Sequence, residues 1–364
     1  MLGAIEKLGR RALFCLDPET AHGLSIKALK AGVPVALAPR LDARLKTTVA
    51  GITFDNPLGM AAGYDKNAEV PDALLRLGFG FAEVGTLTPL PQAGNPRPRI
   101  FRLTADGAVI NRLGFNNEGH DAAERRLSER AWRSGVVGVN IGANKDSTDR
   151  IRDYVLGVER FAPLASYLTV NISSPNTPGL RDMQARAALA ELLRAVAAAR
   201  DAAVPAAGRK TPMFLKIAPD LHDADFEDIA TEVMEQSIEG VIVSNTTTSR
   251  PDLRSPGRAE TGGLSGRPLF ERSTIALAKM RRLLGPKHAV VGVGGVDSTE
   301  TALEKIRAGA DLVQLYTGMV YAGPALPGQI VKGFSKFLDR EGLRSLADIR
   351  DSRLDHWADR PLQL

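Results

Sequence analysis

The chain has 364 residues, 44% of them hydrophobic, with 47 Lys and Arg against 42 Asp and Glu for a net charge of +5. That supports a large core, and α/β barrels of this length form one domain. A lone cysteine, Cys15, excludes an internal disulfide and a cysteine-based metal cluster, five scattered histidines lack metal-ligand spacing so no metal is expected, and without a basic run interleaved with aromatics no nucleic acid is expected as partner.

The first forty residues read as a helical segment. Leu2, Ile5, Leu8, Ala12, Leu13 and Leu16 recur at helical spacing, with Lys7, Arg10 and Arg11 between them. Asp17-Pro18-Glu19 breaks that run and starts a second helix, with Asp17 as cap and Pro18 in the first turn. The second helix carries Ala21, Leu24, Ala28 and Leu29 and ends near Gly32-Val33-Pro34. Two short basic amphipathic helices can lie on a bilayer surface or pack on their own domain. Pattern alone leaves both open. No run of about 18 uncharged apolar residues exists, so no spanning segment is expected. Glu6, Lys7, Arg10 and Arg11 stand where a signal peptide would be apolar, so secretion is not expected.

A linker over 38–46 precedes a small hairpin over 48–54. From Asn56 onward one unit repeats: a short apolar run, then a helix-length segment. The runs are 57–62, 81–86, 136–142, 167–173, 213–218, 240–246, 289–295 and 312–318, with helical patterns between them such as 187–202, 223–239 and 298–308. Strand–helix alternation implies a parallel sheet, and eight units imply an α/β fold of the (β/α)8 TIM-barrel type with a small N-terminal amphipathic helical extension. An open doubly wound sheet would carry G-x-G-x-x-G after its first strand; here that place holds Ala61-Ala62-Gly63-Tyr64-Asp65-Lys66. Long insertions follow the second strand (88–117), the fourth (171–183) and the sixth (247–268). The charged tail after Lys336 reads as one helix plus a loose end, and residues 351–364 carry no pattern that assigns them a role.

In a barrel the active site gathers at the C-terminal ends of the strands. Those ends carry Ala62-Gly63 with Lys66, then Thr86, Asn140, Asn171, Lys216, Ser244-Asn245-Thr246, Gly294-Gly295 and Tyr316-Thr317-Gly318. Glycines near Gly266, Gly294-Gly295 and Gly318 suit a phosphate held by backbone N–H groups, or tight packing at loop corners. Lys216 lies inside an apolar strand, which is costly unless something anionic pairs with it. It could neutralise a reduced flavin, form a Schiff base or sit in a buried salt bridge. Asn140, Asn171 and Thr86 suit the edge of a planar ring, and together these features describe a site for flavin mononucleotide (FMN). Asn111, Phe115, Asn176 and Asn245 offer amides beside an aromatic for a second ligand, and Lys66 offers a cation for a carboxylate.

Four strings carry a resemblance: Gly59-Met60-Ala61-Ala62-Gly63-Tyr64-Asp65-Lys66, Asn111-Arg112-Leu113-Gly114-Phe115-Asn116-Asn117, the run from Asn171-Ile172-Ser173-Ser174-Pro175-Asn176 to Thr177-Pro178-Gly179-Leu180, and Thr261-Gly262-Gly263-Leu264-Ser265-Gly266. From about residue 13 to about 336 the chain resembles the quinone-dependent (class 2) dihydroorotate dehydrogenases, FMN enzymes of pyrimidine synthesis. The resemblance implies that Ser174 removes a proton from C5 of dihydroorotate while hydride leaves C6 for flavin N5, giving orotate. Thr177 and a water near Phe115 would carry the serine proton away. Lys66, Asn111, Asn171, Asn176, Asn245 and Thr246, with Arg112, Leu113, Gly114 and Phe115 of the second string, would hold the substrate. Ala62, Gly63, Tyr64, Asp65, Lys66, Thr86, Asn140, Asn171, Lys216, Ser244, Gly266, Gly295, Tyr316 and Thr317 would hold FMN. The family usually has Leu at Tyr64 and often Thr at Ser244; neither change removes a backbone contact or a hydroxyl.

The serine also separates branches, since soluble members place Cys at the base position and lack the N-terminal helices. By resemblance, residues 1–40 lie on the membrane surface and form a tunnel for a ubiquinone-type quinone, with His22, Arg102 and Tyr316 near it. The expected parts are therefore a helical segment over 1–40, an FMN-binding barrel over 47–336 and a C-terminal helix and tail over 337–364. A monomeric bacterial protein is expected, attached to the cytoplasmic side of the inner membrane. Three alternatives stand beside it. A dihydropyrimidine-type dehydrogenase on the same barrel would have no use for Lys66, and a Schiff-base aldolase would use Lys216 without flavin. A non-catalytic membrane-surface protein would leave the polar strand ends without purpose.

Overall fold

Eight strands close into one parallel barrel in the computed structural model, which describes residues 9, 11–33 and 39–362. They are β1 (Leu58–Met60), β2 (Phe81–Leu87), β3 (Val136–Ile141), β4 (Tyr167–Asn171), β5 (Met213–Ile217), β6 (Gly240–Val243), β7 (Ala289–Val293) and β8 (Leu312–Leu315). Each pairs with the next, and β8 returns to β1. Every strand lies within its expected run, except that β2 continues to Leu87. Almost every strand residue is buried, because helices cover the outside while side chains fill the inside. The covering helices are α1 (Pro71–Arg76), α2 (Gly119–Glu129), α3 (Arg150–Phe161), α4 (Arg186–Ala202), α5 (Asp223–Glu235), α6 (Phe270–Leu284), α7 (Thr299–Arg307) and α8 (Leu326–Glu341). The pattern expected over 223–239 ends early, at Glu235, because Ser237 takes a positive φ of 54° and turns the chain toward β6.

The expected hairpin, Thr47–Val49 paired with Ile52–Phe54, closes the N-terminal end of the barrel. Its Phe54 begins a chain of edge-on rings: Phe54 to Phe81 (5.1 Å between centroids), Phe81 to Tyr167 (6.3 Å) and Tyr167 to Phe214 (5.3 Å). Gly59 and Gly138 make room for this floor. A Cβ on Gly59 would come far inside van der Waals contact with Phe81 ring atoms, and one on Gly138 equally far inside contact with the Tyr167 ring.

At the opposite end, the insertions after β2 and β6 do not remain separate loops. Ile100–Leu103, Ala108–Asn111 and Gly263–Gly266 form a three-stranded antiparallel sheet with Ala108–Asn111 in the middle. Their Pro, Gly and Asn content hid the short apolar alternations that pair here.

The second N-terminal helix is Pro18–Lys30, and the Asp17 carboxylate accepts from the N–H groups of Glu19 and Thr20 at 3.0 Å each, as expected of the cap. Of the first expected helix (2–16), residues 1–8 and 10 lie outside the described residues, while 11–14 are helical. Pro34 and the start of the 38–46 linker also lie outside them. No helix among the described residues is long and apolar enough to cross a membrane.

The C-terminal boundary and tail differ from expectation. Residue 336 falls inside α8, and the segment beyond it docks on the barrel instead of hanging loose. The helix Leu354–Ala358 packs on α6, with Trp357 buried edge-on to Phe270 and donating its indole N–H to Glu304 at 2.7 Å. Asp351 takes a two-pronged contact from Arg281 at 3.0 Å per bond.

Candidate active site

A cavity of about 720 Å³ opens above the C-terminal strand ends. Lys216 lies at its inner end, Ser174, Asn245 and Lys66 along its walls, and Leu24 and Val33 of the N-terminal segment at its outer end. Of the residues expected to hold substrate, flavin or quinone, all but Asp65, Arg112 and Asn140 line this space, and Thr177, expected to relay the serine proton, is buried just outside it.

Those three face elsewhere. The buried Asp65 carboxylate accepts from the N–H groups of Glu69 and Val70 (2.8 Å each), which closes the loop after β1. Burial pushes its pKa up, and these backbone donors oppose the shift. Arg112 reaches away to Glu260 (2.8 Å) and the Pro98 carbonyl (3.0 Å), stacking over Phe101. It staples the two insertions together. Asn140 sits one layer deeper and orients two residues that do face the cavity.

A chain of amides and hydroxyls supports the floor of the site. Thr86 Oγ1 donates to Asn140 Oδ1 (2.6 Å), and Asn171 Nδ2 donates to Thr86 Oγ1 (2.9 Å) and Asn140 Oδ1 (3.1 Å). Asn171 Oδ1 then accepts from the Ser173 hydroxyl (3.0 Å), and Ser173 Oγ accepts from Asn245 Nδ2 (3.1 Å). Four strand ends are thereby locked in one network of hydrogen bonds. Beneath them Asn140 Nδ2 donates to Glu83 Oε1 at 2.8 Å.

Ser174 is buried at the turn after β4, where its Oγ accepts the Asn176 N–H at 3.2 Å. The Asn176 amide donates to Asn111 Oδ1 (3.3 Å) and its carbonyl accepts from Asn95 (3.1 Å), tying the turn to the β2 insertion. Arg181 grips the turn from below, donating to the carbonyls of Ser173 (3.1 Å) and Thr246 (2.9 Å) and to Asp220 (3.0 Å). Neither Asn95, Arg181, Asp220 nor Glu83 was singled out from the sequence. Glu83 alone had a visible signal, an acid inside an apolar strand.

At the outer end, Lys66 Nζ meets His22 Nε2 at 3.3 Å, and His22 Nδ1 faces the Tyr316 hydroxyl at 3.4 Å. Burial lowers the Lys66 pKa to about 8, partly opposed by Glu19 and Asp65. Burial and then the Lys66 charge hold His22 well below the ordinary histidine range. At neutral pH Lys66 is therefore the cation and His22 the neutral acceptor, which puts the ring proton on Nδ1, toward Tyr316. Tyr64 packs edge-on to both His22 (5.2 Å) and Tyr316 (5.6 Å), and its hydroxyl meets Ser25 at 3.0 Å. Burial raises the pKa of both tyrosines, that of Tyr64 to about 12.

The N-terminal segment is anchored through the β2 insertion. Glu19 pairs with Arg99 (2.6 Å) and Arg97 (3.0 Å). Arg102 donates to the carbonyls of Phe14 (2.9 Å) and Leu13 (3.2 Å) and lies over the Phe14 ring. Apolar Leu16, Leu24 and Val33 remain exposed.

A family model described as Dihydroorotate dehydrogenase matches residues 44–338. The dihydroorotate dehydrogenase (quinone) of Mesorhizobium japonicum is 69% identical over 363 residues, spanning 99% of this chain and 100% of that protein. The protein of the same name from Rhizobium rhizogenes is 64% identical over 361 residues, 99% of each chain. Among solved structures, DHODH from Eimeria tenella in complex with ferulenol superposes with a TM-score of 0.88 at 40% identity, covering 95% of this chain and 96% of that one.

Proposed function

The chain belongs to the dihydroorotate dehydrogenase family, and from that premise we propose that it oxidises (S)-dihydroorotate to orotate in pyrimidine synthesis, holding FMN as its flavin and passing the electrons to a membrane quinone. One observation carries the reading. A single cavity joins Lys216, Ser174 and the strand-end amides to Lys66 and His22, and continues beneath the N-terminal helices. Relatives at 64–69% identity bear the quinone-dependent name, which supports the acceptor.

The residues present fit a flavin. Lys216 is buried at the inner end without a hydrogen-bond partner among the described residues, and Thr246 Oγ1 is buried and likewise unpartnered. A buried ammonium and a buried hydroxyl both call for a polar ligand. Lys216, Thr86, Asn171 and Ser244 would contact the ring, with Ala62, Gly63 and Tyr316 near it, and the glycines Gly266 and Gly295 with Thr317 would take the phosphate. FMN bound there would supply a two-electron acceptor for the C6 hydride of the substrate. Lys66 would hold the substrate carboxylate, and Asn111, Asn176, Asn245 and Thr246 its ring amides and carbonyls. Ser174 Oγ would take the C5 proton while its own hydroxyl proton leaves through Thr177 and a water near Phe115, and it would do so from a fixed position, since the Asn176 N–H and the Arg181 grip set its turn.

The protein would act as a monomer at the cytoplasmic side of the inner membrane, with residues 1–40 on the lipid surface and lining the quinone route. The exposed Leu16, Leu24 and Val33 beside basic residues support that placement. The test is a visible spectrum of the purified protein, before and after anaerobic dihydroorotate and then after a ubiquinone analogue. A flavin band that bleaches with dihydroorotate and returns with quinone is expected. A protein that takes up no FMN, or stays oxidised with dihydroorotate, would overturn the reading.

A further inference from the structure

Glu83 lies fully buried in the middle of β2, inside the barrel between the aromatic floor and the cavity. Its carboxylate accepts from Asn140 Nδ2 (2.8 Å), Gln314 Nε2 (2.8 Å) and the Tyr167 hydroxyl (3.0 Å). All three donors are neutral. A buried carboxylate with no cation in its hydrogen-bonding shell is costly, and a neutral glutamine would fill the same space. Its charge therefore calls for a reason.

The polarity of the amide chain gives one. A carboxylate only accepts, so Asn140 must turn Nδ2 toward Glu83 and Oδ1 toward the cavity side. Thr86 then spends its proton on Asn140 Oδ1 and can only accept from Asn171. Asn171 in turn spends its amide protons on Thr86 and Asn140, which leaves Oδ1 for Ser173 and Asn245. One charge thus fixes the direction of every bond up to the cavity wall. A glutamine could donate instead, flip Asn140 and reverse the order.

Lys216 gives a second reason. It lies on β5 in the same interior, and no hydrogen bond joins it to Glu83 among the described residues. Burial lowers its pKa, the field of Glu83 raises it, and no other charged group contributes. Glu83 thus favours the charged ammonium without occupying its donors.

We infer that Glu83 is a positioning residue for the cofactor site: it fixes the amide directions of Asn140 and Asn171 and supplies Lys216 with a counter-charge that leaves the ammonium free for its ligand. The inference rests on the FMN reading above. The test compares wild type with Glu83→Gln, Glu83→Asp and Tyr167→Phe in the full-length protein. Three quantities are read: the FMN dissociation constant, the pH midpoint of the bound-flavin absorption change in the lysine range, and the unfolding temperature. Glu83→Gln is expected to weaken FMN binding by roughly tenfold to a hundredfold, the cost of a charged hydrogen-bond partner, and to move the midpoint to lower pH. Glu83→Asp keeps the charge but withdraws it by a methylene, so it should hold the midpoint and lose affinity. Tyr167→Phe removes one of three bonds to the same carboxylate but keeps its charge, so it should lower the unfolding temperature and cost less FMN affinity than Glu83→Gln.

Affinity and midpoint in Glu83→Gln within twofold of wild type would overturn the inference while leaving the function intact. Should Glu83→Gln not fold, undiminished FMN affinity in Glu83→Asp would do the same. A wild type that binds no FMN would overturn both readings. A wild type that binds FMN but is not reduced by dihydroorotate would remove the substrate reading alone, and the same variants would still decide the role of Glu83.

Discussion

Lys66 and His22 meet at 3.3 Å across 44 residues of sequence, and both are half-buried where the cavity passes into the N-terminal segment. The contact fixes which of the two carries charge, and that sets the pH behaviour expected of an anion held by Lys66.

Lys66 in the free protein loses its proton near pH 8, below the ordinary lysine range. Dihydroorotate is an anion and, held as proposed, would pair with the protonated form. Affinity should therefore stay level below about pH 8 and fall about tenfold for each pH unit above it. A spectral titration of the flavin enzyme with orotate across that range checks this. Constant affinity well above pH 8 would remove Lys66 as the carboxylate partner.

Ser174→Ala should slow flavin reduction by dihydroorotate by roughly 10²- to 10⁴-fold, the range for loss of a positioned general base. Substrate affinity should change little, because the amides and Lys66 remain. Ser174→Cys should fall between the two. Anaerobic stopped-flow reduction measures all three, and an undiminished rate in Ser174→Ala would end the assignment.

Deletion of residues 1–32 should spare reduction of the flavin by dihydroorotate and abolish rapid reoxidation by quinone. The barrel and its Ser174 turn stay intact, while His22 and the apolar outer wall are lost. Normal quinone turnover in the shortened protein would sink the tunnel.

Trp357→Ala should lower stability by about 3–5 kcal/mol, as for other large buried side chains, because it removes the ring from Phe270 and the 2.7 Å bond to Glu304. Substrate and FMN affinities at low temperature should not change. Thermal unfolding followed by circular dichroism reads the loss, and an unfolding temperature equal to wild type would show that the docked tail contributes nothing to the fold.

The barrel was legible because a parallel sheet covered on both faces leaves continuous apolar runs, and its eight strands fall where those runs stand. The tail was not. Trp357 and Asp351 are held by Glu304 and Arg281, partners about fifty to seventy residues away, and no local pattern announces such pairing. The sheet over the mouth was missed because its strands have four residues each and come from two distant insertions. In the site, motif strings located Lys66, Asn171 and Ser174 on the cavity wall. They could not tell which neighbours turn away, so Asp65 and Arg112 came along with the strings although their side chains tie loops. Reading only the strand ends also passed over Glu83, which lies three residues before Thr86.

The bare positions at Gly59 and Gly138 carry a consequence for any mutational survey of this protein. A methyl group at 138 would displace the Tyr167 ring, whose hydroxyl holds Glu83, which in turn orients Asn140. A screen scored on growth without pyrimidines would therefore rank Gly138 among the intolerant sites with Ser174, although it does not line the cavity. Intolerance to substitution in this barrel maps the floor as well as the chemistry, and the two separate only when folded protein and turnover are counted independently.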